Sequence, residues 1–190
     1  MKKLFLLSLL VASPYVAADW ALNPKESTLN FISTKNASVT EVHSFQTLSG
    51  SISGEKASLT VDLASVETQI PIRNDRMKEH LFEIQQFPQA TVELSLDAKA
   101  MQSLASPGAF IDMPVTAAVA LHGMKKDLPA KLRVIKLTEN KLMASTLEPV
   151  VMVPADFGMQ NGVGKLMEIA KLNSITSSVP VTFNLVFEQK

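Results

Sequence analysis

Apolar and polar residues alternate through most of this chain. Leu29, Phe31 and Ser33 alternate with Thr28, Asn30 and Ile32, and Leu59, Val61 and Leu63 with Thr60 and Asp62. Val92, Leu94 and Leu96 alternate with Glu93 and Ser95. Val115–Leu121 and Leu128–Val134 repeat the pattern, and Val181, Phe183, Leu185 and Phe187 form the last row. Period-two alternation marks strands with one buried face. With the stretches His43–Ser53 and Leu142–Val153, it predicts about eight strands, with no internal repeat or linker. That many short strands between turn signals imply a sandwich or a barrel. Closing the sheet removes exposed edges, so the expected fold is an all-β, antiparallel eight-stranded barrel. Such a barrel is wide enough for a line of side chains or for one small ligand, and the pattern alone leaves both open.

Two segments switch to helical spacing. Over Arg73–Ile84, Met77, Leu81 and Ile84 share a face, Asn74 or Asp75 can cap the start, and Phe87-Pro88 ends the segment. Over Val163–Leu172, Leu166, Ile169 and Ala170 lie on one side, with Gly162 and Gly164 before them and Asn173 as a stop. Ala98–Ala105 reads either as a strand end or as a helical turn. The helices are expected to pack on the barrel or across its mouth.

The N-terminus changes the expected compartment. Lys2 and Lys3 precede an apolar run, Leu4–Ala12, and small residues follow at Val16, Ala17 and Ala18. This is the layout of a secretory signal peptide, and the run is roughly half the about 20 residues a spanning helix needs. Residues 1–18 are therefore expected to be removed, leaving a single domain over 19–190 in the periplasm, not integral to the membrane. The whole sequence has 18 basic and 18 acidic residues; without Lys2 and Lys3 the balance is 16 to 18. No basic stripe suits nucleic acid. With no cysteine, the core must hold the fold without disulfides, and thiolate chemistry is excluded.

Catalytic and metal signatures are weak. There is no G-x-S-x-G elbow, H-E-x-x-H pair or phosphate-binding glycine loop. His43, His80 and His122 lack the spacing that brings two metal ligands to one face. No cofactor, metal or catalytic residue is assigned. An enzyme would have to assemble a site from distant strands, and His43, Asp75 and Asp156 are the residues to test. The charged run from Arg73 to Glu83 reads first as a solvated helix face. Arginine also suits a carbonyl or phosphate oxygen, which makes Arg73 and Arg76 candidates for a ligand's polar head, with His43 as a polar strand residue near the barrel mouth.

Several segments together resemble the YceI-like family. These are Trp20–Phe31, with Asn23-Pro24 and Ser27; Glu41–Phe45 with a Gly50-Ser51-Ile52 turn; and Ala57–Leu63 followed by Ser65–Thr68. Ile72–Met77 through Phe82, closed by Phe87-Pro88, is the most specific block, and Leu121–Lys126 and Ala155–Met159 complete the series. The resemblance spans Trp20 to Glu188, and Asn161–Asn173 departs from it as an insertion-like helix. It implies a lipocalin-like barrel holding an isoprenoid-type lipid, such as a polyprenyl chain or a quinone, in a long apolar cavity. On that reading the expected lining is Phe31, Val42, Phe45, Met77, Leu81, Phe157, Met159, Phe183 and Leu185. The alternative is a filled barrel whose loops bind a partner, for instance a membrane redox protein.

Overall fold

The computed structural model describes residues 20–190; the expected signal peptide lies outside them. Twelve strands form one antiparallel sheet: β1 (Trp20–Leu22), β2 (Thr28–Lys35), β3 (Val39–Phe45), β4 (Leu48–Ser53), β5 (Lys56–Asp62), β6 (Val66–Glu67), β7 (Gln89–Ser95), β8 (Phe110–Leu121), β9 (Met124–Thr138), β10 (Lys141–Thr146), β11 (Val150–Met152) and β12 (Val179–Gln189). Three short helices join them: α1 (Pro71–Arg76), α2 (Ala98–Gln102) and α3 (Gln160–Ala170).

Twelve segments make eight staves, because four staves are broken in the middle. On one side of β12, Gln189–Phe187 pair with β1 and Asn184–Val181 with β2, so β1 and β2 are one interrupted stave. On its other side β12 pairs with β10 and then β11. β3 with β4, and β5 with β6, are bent staves of the same kind: β2 pairs β3, β1 pairs β4, β4 pairs β5 and β3 pairs β6. β5–β7–β8–β9–β10 complete the ring. The result is a closed eight-stranded antiparallel barrel, as the alternation predicts. The 12 residues of β8 extend about 40 Å along the strand, which at a barrel tilt of about 40° gives roughly 30 Å of axis.

Chain direction sorts the connections between two ends. The β4–β5 and β9–β10 turns and α2 lie at the lower end. The β2–β3 and β8–β9 turns, residues 68–88 and residues 153–178 lie at the upper end.

The upper helices differ from expectation in register. α1 begins at Pro71, at the first helical position where a missing N–H costs nothing. Asn74 is buried and does not cap: its Oδ1 accepts from Thr68 N at 2.9 Å and from Thr68 Oγ1 at 2.5 Å. The helix runs on through a π-helical turn, Met77–Leu81, and stops at Phe82, before the left-handed Glu83 and well short of Phe87-Pro88. α3 starts at Gln160, so Gly162 and Gly164 lie inside it, and it ends on left-handed Lys171 rather than Asn173. Gly162 has a steric role: a Cβ there would sit 2.5 Å from the His80 carbonyl oxygen, so the missing side chain lets α3 lie on the π turn. Ala98–Gln102 resolves as helix, capped by the Asp97 carboxylate, which accepts from the N–H groups of Lys99 and Ala100.

Gly50 lies within β4, not in a turn; the turn follows at Gly54. A Cβ on Gly50 would approach the Ser58 carbonyl oxygen to 2.5 Å. Gly50→Ala is therefore expected to force β4 and β5 apart and lower stability by about 1–3 kcal/mol, read as a lower urea midpoint with an unchanged slope.

Candidate functional site

The inward face of each stave follows from parity. Leu29 and Phe31 of β2, Val92 and Leu94 of β7, Val115, Ala117 and Val119 of β8, and Leu128, Ala130, Leu132 and Val134 of β9 all face the axis. Val181, Phe183, Leu185 and Phe187 of β12 join them. The interior is not filled. Phe45, Val92, Leu94 and Phe183 point inward yet are only half-buried, because they face empty space. The cavity measures about 500 Å³, inside the range of about 300–1,000 Å³ usual for ligand pockets. Its wall is almost wholly carbon from Leu96 and Met101 at the lower end to the helices at the upper end.

Of the expected lining residues, Phe31, Phe45, Met77, Leu81, Phe157, Met159, Phe183 and Leu185 bound this cavity. Val42 does not: it is 61 % exposed on the outer face of β3. Successive strand side chains point to opposite faces, so Val42 and Phe45 cannot both face in, and His43 takes the inward place. Phe45 sits in an aromatic row, its ring centroid 5.4 Å from that of Phe31 and 5.7 Å from that of Phe82. The segment Pro154–Phe157 and the left-handed Gly158 place Phe157 and Met159 on the cavity, and Phe157 is 1 % exposed. α3 contributes Val163, Leu166 and Ala170, so the insertion-like helix does cover the upper end; Ile169 is turned away.

Polar side chains gather at this end. Lys35 Nζ lies 2.7 Å from Glu41 Oε2, and Arg73 Nη1 donates to both Glu41 oxygens at 3.0 and 2.9 Å. Arg73 Nη2 also donates to the Thr68 carbonyl at 2.6 Å. Strand pairing explains half of this: Ser33 faces Glu41 and Lys35 faces Val39, so Lys35 and Glu41 are diagonal neighbours. The Lys35 hydrogen bond, then that of Arg73, holds the Glu41 carboxyl below its ordinary value against the opposing effect of burial.

His43 is 4 % exposed; its Nε2 lies 2.9 Å from Ser33 Oγ, and its ring lies 5.1 Å from that of Phe31. Its Nδ1 and the Nε of Arg73 are buried without a protein partner, a costly arrangement unless something else satisfies them. Burial lowers the His43 pKa, and the positive charge of Arg73 adds to the shift. Arg76 also lines the cavity, and no carboxylate among the described residues pairs with it.

The structure therefore brings His43, Arg73 and Arg76 together at one end of an apolar tube. Lys35, Glu41, Ile70 and Ile72 are also there. Arg73, Arg76 and Ile72 fall in the Ile72–Phe82 block and Glu41 and His43 in the Glu41–Phe45 block, but no spacing in the chain brings these segments together; hairpin register and the helix phase set by Pro71 do. The residues considered for catalysis do not converge. Asp75 is exposed beside Lys78, and Asp156 lies outside near Lys126, 3.9 Å away. His122 pairs with Glu83 at 3.1 Å on the outer surface. Among the described residues, no three His, Asp or Glu side chains cluster as metal ligands, and no helix is long and apolar enough to cross a membrane.

Comparison with known proteins gives consistent results. The YceI-like domain model matches residues 20–187. A polyisoprenoid-binding domain from Saccharophagus degradans, implicated in plant cell wall breakdown, is 36 % identical, with a TM-score of 0.87 over 92 % of this chain and 99 % of that one. BcnA of Burkholderia cenocepacia is 18 % identical, with a TM-score of 0.68 over 87 % and 98 %. A Campylobacter jejuni YceI protein is 14 % identical, with a TM-score of 0.58 over 78 % and 84 %. The last two share the fold. No curated protein matches the sequence.

The His43 shift gives a pH test. A folded pKa below the ordinary 6.5 means that the unfolded chain takes up the proton first as pH falls. The stability contributed by neutral His43 is full above that ordinary value and is lost as pH falls through the folded one. Urea midpoints are therefore expected to drop between pH 7.5 and 5.5, and to drop less in His43→Gln.

Proposed function

The chain belongs to the YceI-like family, and from that premise we propose that it binds a long isoprenoid lipid, a polyprenyl chain or an isoprenoid quinone, in the barrel. The observation that carries this reading is the shape of the cavity: hollow, apolar along its length, and polar only at its upper end. An isoprenoid tail has no polar handle, so its affinity comes from area removed from water, at roughly 25 cal/mol per Å². A tube of Leu, Val, Ala and Phe supplies that area. Met77 and Met159 add flexible, polarisable contacts suited to a mobile chain.

The head group would lie among His43, Arg73 and Arg76. Arg73 Nε and the Arg76 guanidinium are donors that fit oxygen acceptors such as a quinone carbonyl, a hydroxyl or a phosphate, and so is His43 Nδ1 in the tautomer whose Nε2 accepts from Ser33 Oγ. Glu41 fixes the orientation of the Arg73 guanidinium through two hydrogen bonds. The reading is of a carrier or store: Ser33 Oγ meets His43 Nε2 in the tube, but no carboxylate orients that imidazole, since His43 Nδ1 has no protein partner and Glu41 is held by Lys35 and Arg73. The leader-like N-terminus supports a periplasmic role, in which the protein moves or sequesters a lipid that water alone does not dissolve. A filled barrel fits less well, since about 500 Å³ of the interior is free.

Native mass spectrometry of the purified protein tests this. The expected result is a discrete added mass that organic solvent releases as an isoprenoid. Ala130→Trp, which places a large ring in mid-tube, is expected to abolish the added mass while leaving the β-sheet circular-dichroism spectrum intact. A protein that carries no lipid, and cannot be loaded with a quinone or polyprenol, would overturn the proposal.

A further inference from the structure

The cavity reaches the surface where its wall and the outside of the protein share side chains. Ile70 and Ile72 line the cavity and are also 42 % and 56 % exposed. Val39, at the start of β3 in the upper β2–β3 hairpin, is exposed on the strand face that carries Glu41, the partner of Arg73. Exposed aliphatic side chains at a cavity mouth are a contact surface rather than core that failed to bury.

The charges around this rim are unequal. Lys35 and Arg73 share one carboxylate, Glu41. Arg76, and Lys171 between the lining residues Ala170 and Leu172, have no carboxylate partner among the described residues. The nearby acids are engaged or face elsewhere. Glu168 pairs with Lys165, and Glu67 accepts from Gln69 N and Asn74. Asp75, Glu79 and Glu83 surround a separate shallow depression on the other side of the 71–83 segment.

We propose that this rim docks on an anionic phospholipid bilayer, with Ile70, Ile72 and Val39 entering the interface and Arg76, Lys171 and Lys35 facing lipid phosphates. The proposal rests on the lipid-binding reading and names how the cargo enters and leaves. Aliphatic contact and basic charge are the two components of reversible membrane binding. The shared side chains give the reason for it. With Ile70 and Ile72 in the bilayer, the acyl region and the tube form one continuous apolar path, so a tail need not cross water to load.

The test is co-sedimentation with vesicles of phosphatidylethanolamine and phosphatidylglycerol, compared with phosphatidylcholine alone. Binding is expected to the anionic vesicles only, and to weaken as salt rises. Ile72→Asp is expected to lower the partition coefficient about tenfold or more, and Lys171→Asn about fivefold, the amount ascribed to one cation. Asn suits the left-handed conformation at that position, and Lys171→Asn should keep its lipid in native mass spectra. Lys56→Asn, at the start of β5 at the lower end, should bind as wild type does. A protein that carries lipid but ignores anionic vesicles, or that loses binding equally with Lys56→Asn, overturns the docking proposal and leaves the cargo reading standing. A protein that neither carries nor accepts lipid removes both.

Discussion

Pairing of β12 with β10 and β11 on one side and with β1 and β2 on the other closes the sheet, and the rest of the molecule depends on that closure. In an open sheet the inward row could be buried only by packing something against it. In a closed ring the backbone ladders satisfy one another around the circumference, and the inward rows are shielded from bulk water even where they do not touch. The fold can therefore tolerate an unfilled interior, which a protein core ordinarily does not. The breaks in four staves bend the ring without opening it: β12 runs unbroken past the β1–β2 and β10–β11 gaps, and the neighbouring β3–β4 and β5–β6 bends are tied to each other by Gln46 N to the Ser65 carbonyl and Asp62 N to the Thr47 carbonyl.

Closure also turns parity into chemistry. Every second residue of each stave belongs to the tube, so a polar residue at an inward position is placed against the cavity. At mid-tube those positions are Ala, Val, Leu and Phe; toward the upper end β2 continues with Ser33 and Lys35, and β3 with Glu41 and His43. The helical segment after β6 then brings Arg73 onto Glu41. The polar end is thus a consequence of where the alternation changes character along one hairpin. The two helical covers meet at Gly162, whose missing side chain sets how closely α3 approaches the π turn.

The strands were legible because each carries several alternating residues, and a bend in mid-stave does not alter the count. The bends themselves, at Asn23–Ser27, Gln46–Thr47, Leu63–Ser65 and Leu147–Pro149, leave no period of their own. Val42 shows how residue type misleads: its β-branched side chain suits a strand on either face, while its neighbours fix the face, and parity with Phe45 puts His43 inside. Helix starts were misplaced because Asn74 resembles a cap, whereas Pro71 sets the start and Asn74 is drawn inward by Thr68. Lys35, Glu41 and the exposed pair Ile70 and Ile72 carry no site signal in the sequence, because their meeting is a matter of hairpin register and helix phase, not of spacing in the chain.

The central claim is that the tube holds an extended apolar chain along its axis. The most direct measurement is the affinity of lipid-free protein for quinones that share one head group and differ in the number of isoprene units. The account predicts affinity that rises steeply with each unit, as buried area grows, and then levels off once the tail has filled the tube. Affinity independent of tail length would contradict it, since the head-group residues alone would then be holding the ligand.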